Sequence, residues 1–238
     1  MPHPIVVVES IESLADRLAG LCEESARRAV AARGRFALVV PGGSAAENLL
    51  PRLARAHIDW PRTEVFFSDE RFVPRSDPAS SASAANRLLF ESLGLMGPRL
   101  HAMVGGETDP AAAARSYADD LLATLGAGPR FDLTLLGVGE DGHVASLFPG
   151  AAAAGELTAL VLVERDSPKP PSTRLTLSLP LLAASRTVVV AAFGEGKAGV
   201  LRSVLRDAGS QLPAARLLRL AREAYVLLDA AAASALDR

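Results

Sequence analysis

The chain has 238 residues, of which 49% are hydrophobic and 22% are charged, and its formal net charge is −2. This composition is typical of a globular chain with a sizeable core, and it excludes a disordered or strongly basic protein. Because the chain has no overall positive charge, we expect neither a nucleic-acid partner nor a membrane partner. A bound anion would need a local cluster of basic residues.

The cysteine, terminal and lysine patterns narrow the class further. Cys22 is the only cysteine, which excludes an intrachain disulfide and a cysteine-based metal site. No apolar run reaches the roughly 20 residues of a membrane span, and the first residues lack a signal-peptide pattern, so we expect a cytoplasmic protein.

Lysine is rare in the chain and occurs only at Lys169 and Lys197. Codon usage explains why lysine is rare, but not where these two residues lie.

Apolar runs of strand length alternate with longer segments of helical periodicity. Gly34 is predicted to end the first helix, and Ser44 to cap the second. The predicted elements are, in chain order, a strand at 5–8, a helix at 10–32, a strand at 36–40, a helix at 45–56, a strand at 65–68, helices at 80–93 and 110–125, strands at 132–137, 157–163 and 188–193, a helix at 197–206, a strand at 224–228 and a helix at 230–236.

The alternation of continuous apolar strands with helices predicts an α/β fold, in which a parallel sheet is covered on both faces. The crossovers between strands are expected to be right-handed. No strong linker and no internal repeat is evident, so we expect a single domain over residues 1–238.

Four predicted strands end in segments that are rich in glycine or in charge. Ligands of open α/β sheets bind beyond the carboxyl ends of the strands, so we expect these segments to converge on one site. The segments are 42–44, 69–71, 137–143 and 194–197.

A glycine-rich turn places His143 beyond the predicted strand 132–137, with Asp141 two residues before it. A histidine titrates near neutral pH and can take a proton from water, and Asp141 can orient the loop or the imidazole. The alternative is a structural histidine satisfied by backbone groups. No metal site is expected, since no second His or Cys lies at ligand spacing. The remaining histidines are predicted to lie at the surface: His3, His57 and His101.

Several strand-end groups are suited to a phosphate. The turn Gly42-Gly43-Ser44 opens a helix whose free N–H groups suit an anion, although such a turn is also an ordinary strand-to-helix connection. Neither a Walker loop nor a dinucleotide fingerprint is present. For the basic groups the alternatives are a surface ion pair or a solvated lysine. The candidate basic residues are Arg71, Arg174 and Lys197.

Five motifs, in this order, resemble those of the 6-phosphogluconolactonase family: PGGS at 41–44, SDERFVP at 68–74, GVGEDGHVASLFP at 137–149, RLTL at 174–177 and GEGKA at 194–198. The resemblance implies a three-layer α/β/α fold with a mostly parallel Rossmann-like sheet, similar to glucosamine-6-phosphate deaminase and ribose-5-phosphate isomerase. It also implies cofactor-free hydrolysis of 6-phospho-D-glucono-1,5-lactone in the oxidative pentose phosphate pathway. The partner is then a small sugar-phosphate lactone, and we expect a monomer or a weak homo-oligomer.

The resemblance further implies roles for individual residues. His143 is the general base that activates water, and Asp141 supports it. Backbone N–H groups of the glycine-rich loop are expected to stabilise the oxyanion. Asn86 matches a Ser-Asn-Tyr-like segment of the family, although Ala85 and Arg87 flank it here. The residues implied for the sugar-phosphate pocket are Gly42, Gly43, Ser44, Asp69, Arg71, Asn86, Gly139, Arg174 and Lys197.

Two other functions are considered beside lactone hydrolysis. A glucosamine-6-phosphate deaminase shares the Asp-Gly-His turn but continues into a Phe-Asn-Glu-Pro type segment, whereas VASLFP at 144–149 lacks that Asn and Glu. A non-catalytic sugar-phosphate sensor would carry a DNA-binding extension. The first predicted strand begins close to Met1 and the chain ends in a short helix, so no such extension is expected.

Overall fold

Seven parallel strands form the central sheet of the computed structural model, which describes residues 3–93 and 99–236. The order of the strands is β1-β10-β9-β6-β2-β3-β5, and a separate antiparallel sheet has the order β4-β8-β7. The described strands are β1 (Ile5–Val8), β2 (Phe36–Val40), β3 (Thr63–Phe67), β4 (Asp69–Arg71), β5 (Arg99–Leu100), β6 (Leu133–Gly137), β7 (Val161–Glu164), β8 (Arg174–Leu177), β9 (Thr187–Ala192) and β10 (Ala224–Asp229).

Helices flank the parallel sheet and give the expected α/β/α arrangement. The longest helix, α1, is capped by the Ser10 hydroxyl and ends at Gly34, whose φ of 74° is left-handed, as predicted. The described helices are α1 (Ile11–Arg33), α2 (Gly43–Leu53), α3 (Ser81–Ala85), α4 (Glu91–Leu93), α5 (Pro110–Leu125), α6 (Ala152–Gly155), α7 (Leu179–Ala183), α8 (Ala198–Arg206), α9 (Pro213–Leu220) and α10 (Ala230–Ala233). Within the described ranges, no helix has both the length and the apolar character needed to cross a bilayer.

The central strands are buried on both faces, which is why they appear in the sequence as continuous apolar runs. Every residue of β2, β3 and β9 is buried. The α/β fold with a mostly parallel sheet is therefore confirmed.

A crevice opens between β2 and β6 because the two strands separate at their carboxyl ends. They pair only through Leu38 with Leu133 and Val39 with Thr134. By contrast, β6 remains paired with β9 as far as Gly137. Strands β3 and β5 follow β2 toward one edge of the sheet, whereas β9 and β10 follow β6 toward the opposite edge, so the strand order reverses between β2 and β6. This reversal is the position at which open α/β sheets bind ligands.

Three predicted elements differ in the structure. The strand expected at 157–163 is β7, which begins at Val161 and belongs to the antiparallel sheet. The helix expected at 80–93 is interrupted by a π-helical turn, Asn86–Phe90. The helix expected from residue 45 begins at Gly43, with Gly42 as its N-cap and no side-chain cap, so Ser44 lies in the first turn instead.

Strands β4, β5 and β8 and helices α6, α7 and α9 are absent from the predicted elements. Strand β4 is made of charged residues, and its burial depends on partners that are distant in sequence, so hydrophobic periodicity does not reveal it. Its pairing with β8 joins segments about 105 residues apart. The small sheet that they form lies beside the crevice, and it carries several of the candidate binding residues.

The sequence predicted a surface position for His101, and this prediction is wrong. Its ring stacks on Phe66 with centroids 4.1 Å apart, and its side chain is 11% exposed. Nε2 lies 2.9 Å from Glu64 and Nδ1 lies 2.6 Å from Asp120. His57, by contrast, is 96% exposed.

Candidate active site

A cavity of about 260 Å³ lies at the carboxyl ends of β2, β3, β6 and β9. These four strands are consecutive in the sheet, so the four chemically unusual segments of the sequence meet at one place. The predicted residues that line the cavity are Gly42, Gly43, Ser44, Asp69, Arg71, Gly139, His143, Arg174 and Lys197.

Two predicted residues do not line the cavity. Asp141 lies behind the imidazole of His143 and contacts its Nδ1. Asn86 is exposed, and its side-chain amide donates a hydrogen bond of 3.0 Å to Glu91. The structure therefore gives Asn86 no place in the pocket.

The imidazole of His143 is held by Asp141 over a distance of 2.5 Å between Nδ1 and Oδ1. The same carboxylate oxygen accepts the His143 amide at 3.2 Å. Partial burial acts to raise the pKa of Asp141, but the His143 amide bond and the adjacent imidazole outweigh it and lower that pKa below its ordinary value. An ionised Asp141 keeps the proton on Nδ1 and leaves the Nε2 lone pair available.

Gly139 makes room for this histidine. A Cβ at position 139 would lie 2.1 Å from Nδ1 of His143 and 2.6 Å from Oδ1 of Asp141. Phe148 supports the ring from another side, with its centroid 4.7 Å from that of the imidazole. The orientation of His143 thus depends on the absence of a side chain at Gly139.

The two arginines of the site are direct cross-strand partners in the small sheet, Arg71 on β4 and Arg174 on β8. Nη1 of Arg71 donates to the Ala79 carbonyl at 2.7 Å. Its buried Nε has no hydrogen-bond partner among the described residues. Arg71 therefore retains donor capacity beside the cavity.

Arg174 is 6% exposed, and it organises the loop that precedes it. Its Nε donates to the Pro171 carbonyl at 3.2 Å and its Nη2 to the Lys169 carbonyl at 3.0 Å. Its guanidinium lies 5.8 Å from the centroid of Phe148. Burial lowers the pKa of Arg174, and Asp69 acts in the opposite direction. Arg174 thereby holds the segment that brings Lys169 to the cavity wall.

Glu70 fixes the position of β4 against the following helical segment. It is 2% exposed, and its carboxylate accepts hydrogen bonds from four groups. Burial raises the pKa of Glu70 above its ordinary value, and the four hydrogen bonds lower it only in part. The donors are the amides of Arg71, Ser81 and Ala82 and the hydroxyl of Ser80.

Lys197 reaches the cavity from the turn that follows β9. Burial lowers the pKa of Lys197, whereas Glu140, whose Oε1 lies 3.9 Å from Nζ, raises it. Lys169 was not among the residues predicted for the pocket, although it lines the cavity together with Lys197. The signal that could have identified it is the scarcity of lysine, because both lysines of the chain meet here.

The first turn of α2 also faces the cavity, at Gly43 and Ser44. The first N–H groups of a helix have no partner within the helix, and its dipole favours an anion. By contrast, the amides of Gly139, Gly142 and His143 are used by acceptors within the glycine-rich loop. These three amides are therefore not the free oxyanion donors expected from the sequence.

The fold and the cavity together define an α/β protein in which a carboxylate-supported histidine faces a pocket for an anionic ligand. The family model described as "Glucosamine-6-phosphate isomerases/6-phosphogluconolactonase" matches residues 9–226, and the chain belongs to this family. It is 39% identical to a 6-phosphogluconolactonase of Streptomyces coelicolor over 98% of this chain and 95% of the relative. It is 36% identical to that of Rattus norvegicus over 99% and 95%.

Solved structures agree with this family assignment. The 6-phosphogluconolactonase of Trypanosoma brucei superposes with a TM-score of 0.86 at 27% identity and covers 98% of each chain. That of Trypanosoma cruzi gives a TM-score of 0.87 at 26% identity, over 100% of this chain and 99% of the other. A monomeric glucosamine-6-phosphate deaminase has a TM-score of 0.81 at 22% identity over 98% and 99%, which shows a shared fold.

Proposed function

We propose that the chain hydrolyses 6-phospho-D-glucono-1,5-lactone to 6-phospho-D-gluconate, without a cofactor, in the oxidative pentose phosphate pathway. Its relatives of 36–39% identity along almost their whole length are 6-phosphogluconolactonases, which supports the reaction. The proposal includes the cytoplasm as the compartment and a monomer or weak homo-oligomer as the working form.

One observation carries the proposal: a histidine with Nδ1 fixed by Asp141 lines the same cavity as four basic side chains. The structure records no hydrogen-bond partner for Nε2 within residues 3–93 and 99–236, so this atom is free to accept a proton from water. The basic side chains and the first turn of α2 supply the charge that a phosphate needs. The basic residues are Arg71, Lys169, Arg174 and Lys197.

The chemistry follows from these positions. His143 Nε2 takes a proton from water as the water oxygen forms a bond to C1 of the lactone. The tetrahedral intermediate collapses with cleavage of the bond between C1 and the ring oxygen. The ring oxygen leaves as the 5-hydroxyl and takes its proton from the imidazolium. C1 becomes a carboxylic acid, which releases its proton at neutral pH, so one proton appears per turnover.

Deaminase activity is disfavoured by the residues that follow His143. Val144 and Leu147 are fully buried, and the hydroxyl of Ser146 is bonded to Asp69. No amide or carboxylate from this segment is therefore available for ring opening of an amino sugar.

The test compares freshly prepared phospholactone with the unphosphorylated lactone, following proton release above the spontaneous rate. We expect rapid turnover of the phosphorylated substrate and a much lower kcat/KM without the phosphate. The variant His143→Ala should lower kcat by about 10²-fold or more, the usual contribution of a general base.

His57→Ala is the matched control, because the side chain of His57 is 96% exposed and its Nδ1 lies 3.4 Å from Glu23, away from the residues that line the cavity. This variant should keep the wild-type kcat. Wild-type turnover in His143→Ala would contradict the general-base role. Release of ammonia from glucosamine 6-phosphate, with no lactone hydrolysis, would replace the proposed function with the deaminase reaction.

A further inference from the structure

Ser146 makes two buried polar contacts that the proposed chemistry does not use. It is fully buried, and its hydroxyl donates a hydrogen bond of 2.6 Å to Oδ2 of Asp69. Its amide donates to the Thr176 hydroxyl at 3.2 Å. The preceding residue, Ala145, has a φ of 51°, an unfavourable left-handed conformation for a residue with a Cβ. The strained residue therefore lies immediately before Ser146, whose two hydrogen bonds anchor the loop.

The two acceptors of Ser146 belong to a single patch of the small sheet. Asp69 on β4 pairs directly with Thr176 on β8, and Arg71 pairs directly with Arg174. Residues two apart in a strand point to the same face. The four side chains therefore lie together, and Ser146 binds one half of the patch while the two arginines form the other half beside the cavity.

The hydrogen bond from the Ser146 hydroxyl also holds the carboxylate of Asp69. Asp69 is 7% exposed, and its other carboxylate oxygen accepts the Ser68 hydroxyl at 3.0 Å. Its negative charge attracts Arg174. With both oxygens bonded to hydroxyls, the carboxylate is held in place. Because Asp69 and both arginines lie on the same small sheet, this bond fixes the position of the loop relative to the arginines.

We propose that Ser146 is a positioning residue that sets the spacing between the His143 imidazole and the Arg71–Arg174 pair, and hence selects ligands by the distance from phosphate to C1. The proposal rests on the function proposed above. His143 and Ser146 are three residues apart in one loop, so tying Ser146 to the arginine sheet fixes both ends of the substrate site. A ligand that spans the site senses this spacing, whereas a ligand that contacts only the arginines does not.

Two inhibitors separate these cases in Ser146→Ala. The product 6-phosphogluconate spans both ends of the site, and inorganic phosphate occupies only the basic end. We expect the inhibition constant of 6-phosphogluconate to rise about tenfold and that of phosphate to stay within about twofold. The kcat for the phospholactone should fall by about 10-fold to 10²-fold, since a displacement of about 1 Å at the reacting centre has an effect of this size.

Ser185→Ala is the matched control, because Ser185 is 2% exposed and its hydroxyl, like that of Ser146, is engaged in buried hydrogen bonds, here with Thr134 and the Leu182 carbonyl. It should lose stability similarly but keep both inhibition constants. Thr176→Val, which removes the other acceptor of Ser146, should shift the product constant in the same direction. If Ser146→Ala does not fold, Thr176→Val decides the question.

The outcomes also separate this proposal from the function on which it rests. Equal changes in both inhibition constants, or no change in either, would overturn the positioning role while wild-type lactone hydrolysis still stands. The same pattern in Ser185→Ala would overturn it too. Absence of lactone hydrolysis in the wild-type protein would instead remove the proposed function.

Discussion

Gly139→Ala tests the proposed role of His143 without altering the histidine or its partner. The backbone of Gly139 is not left-handed, so alanine is compatible with its conformation. The added Cβ would lie 2.1 Å from Nδ1 and 2.2 Å from Cε1 of His143. Carbon atoms in favourable contact are about 3.5–4.0 Å from their neighbours, so the imidazole has to move by more than about 1 Å.

The size of the effect follows from this displacement. A misplacement of about 1 Å at a catalytic group lowers the rate by about 10²-fold, equivalent to about 2.7 kcal/mol in the activation free energy. The three atoms nearest to the added Cβ all belong to His143 and Asp141, so the substitution acts on the histidine rather than on the basic side chains of the cavity. We therefore expect kcat to fall by about 10²-fold and KM to change by less than about threefold.

Initial rates of proton release from fresh phospholactone, corrected for spontaneous hydrolysis, measure this effect. Gly20→Ala is the control, because Gly20 lies in α1 and, apart from the adjoining backbone of that helix, no atom of the described residues lies within 4 Å of its added Cβ. That variant should keep wild-type kinetics and gain up to about 1 kcal/mol in unfolding free energy. A Gly139→Ala protein with kcat within about threefold of wild type would refute the requirement for the observed position of His143.

Two further predictions concern the histidines. Asp141→Asn should lower kcat by about 10²-fold or more with little change in KM. Because its lowered pKa keeps Asp141 ionised, its pairing with His143 stabilises the fold above the unfolded pKa and is lost only as pH falls through the folded value. A wild-type kcat/KM profile over about pH 5 to 8 should therefore show no Asp141 titration. His101→Phe should lower the unfolding free energy by about 2 kcal/mol, because Glu64 and Asp120 lose their partner; urea denaturation measures this loss, and unchanged stability would contradict it. Its kcat should be unchanged.

The parallel sheet could be predicted from the sequence because its strands are apolar on both faces. The four strand ends that carry Gly, His and charged residues are neighbours in the sheet, as expected from their place after buried strands. The small sheet could not be predicted in this way. Asp69–Arg71 is a strand only because Arg174–Leu177 pairs with it, and that pairing is set by the tertiary fold.

The candidate site was predictable where the function of a residue depends on its chemical type and its position at a strand end. His143, Arg71 and Lys197 fall in this class, and all three line the cavity. For Ser146 and Asn86, the position relative to the site depends on hydrogen bonds that the sequence does not reveal. Ser146 lies within the motif at 137–149, but its proposed positioning role could not be predicted from the sequence, since its partners lie on two other strands. Asn86 matched a family position, but its side chain turns to Glu91 on the exposed side of its helix.

The distribution of basic residues indicates different tasks for arginine and lysine in this cavity. Of the 25 Lys and Arg residues only Lys169 and Lys197 are lysines, and both line it. Both arginines of the site donate to backbone carbonyls, Arg71 to one and Arg174 to two. The two bonds of Arg174 use its planar fork of donors, which a single ammonium group cannot reproduce in the same geometry. Lysine carries a compact charge on a flexible stem and is free to follow a ligand. Codon usage explains why lysine is rare in this chain, but not where the two lysines lie. The physical difference between the two side chains accounts for this division: the arginines are bonded to backbone carbonyls in the cavity wall, and we propose that the two lysines follow the ligand as mobile charges.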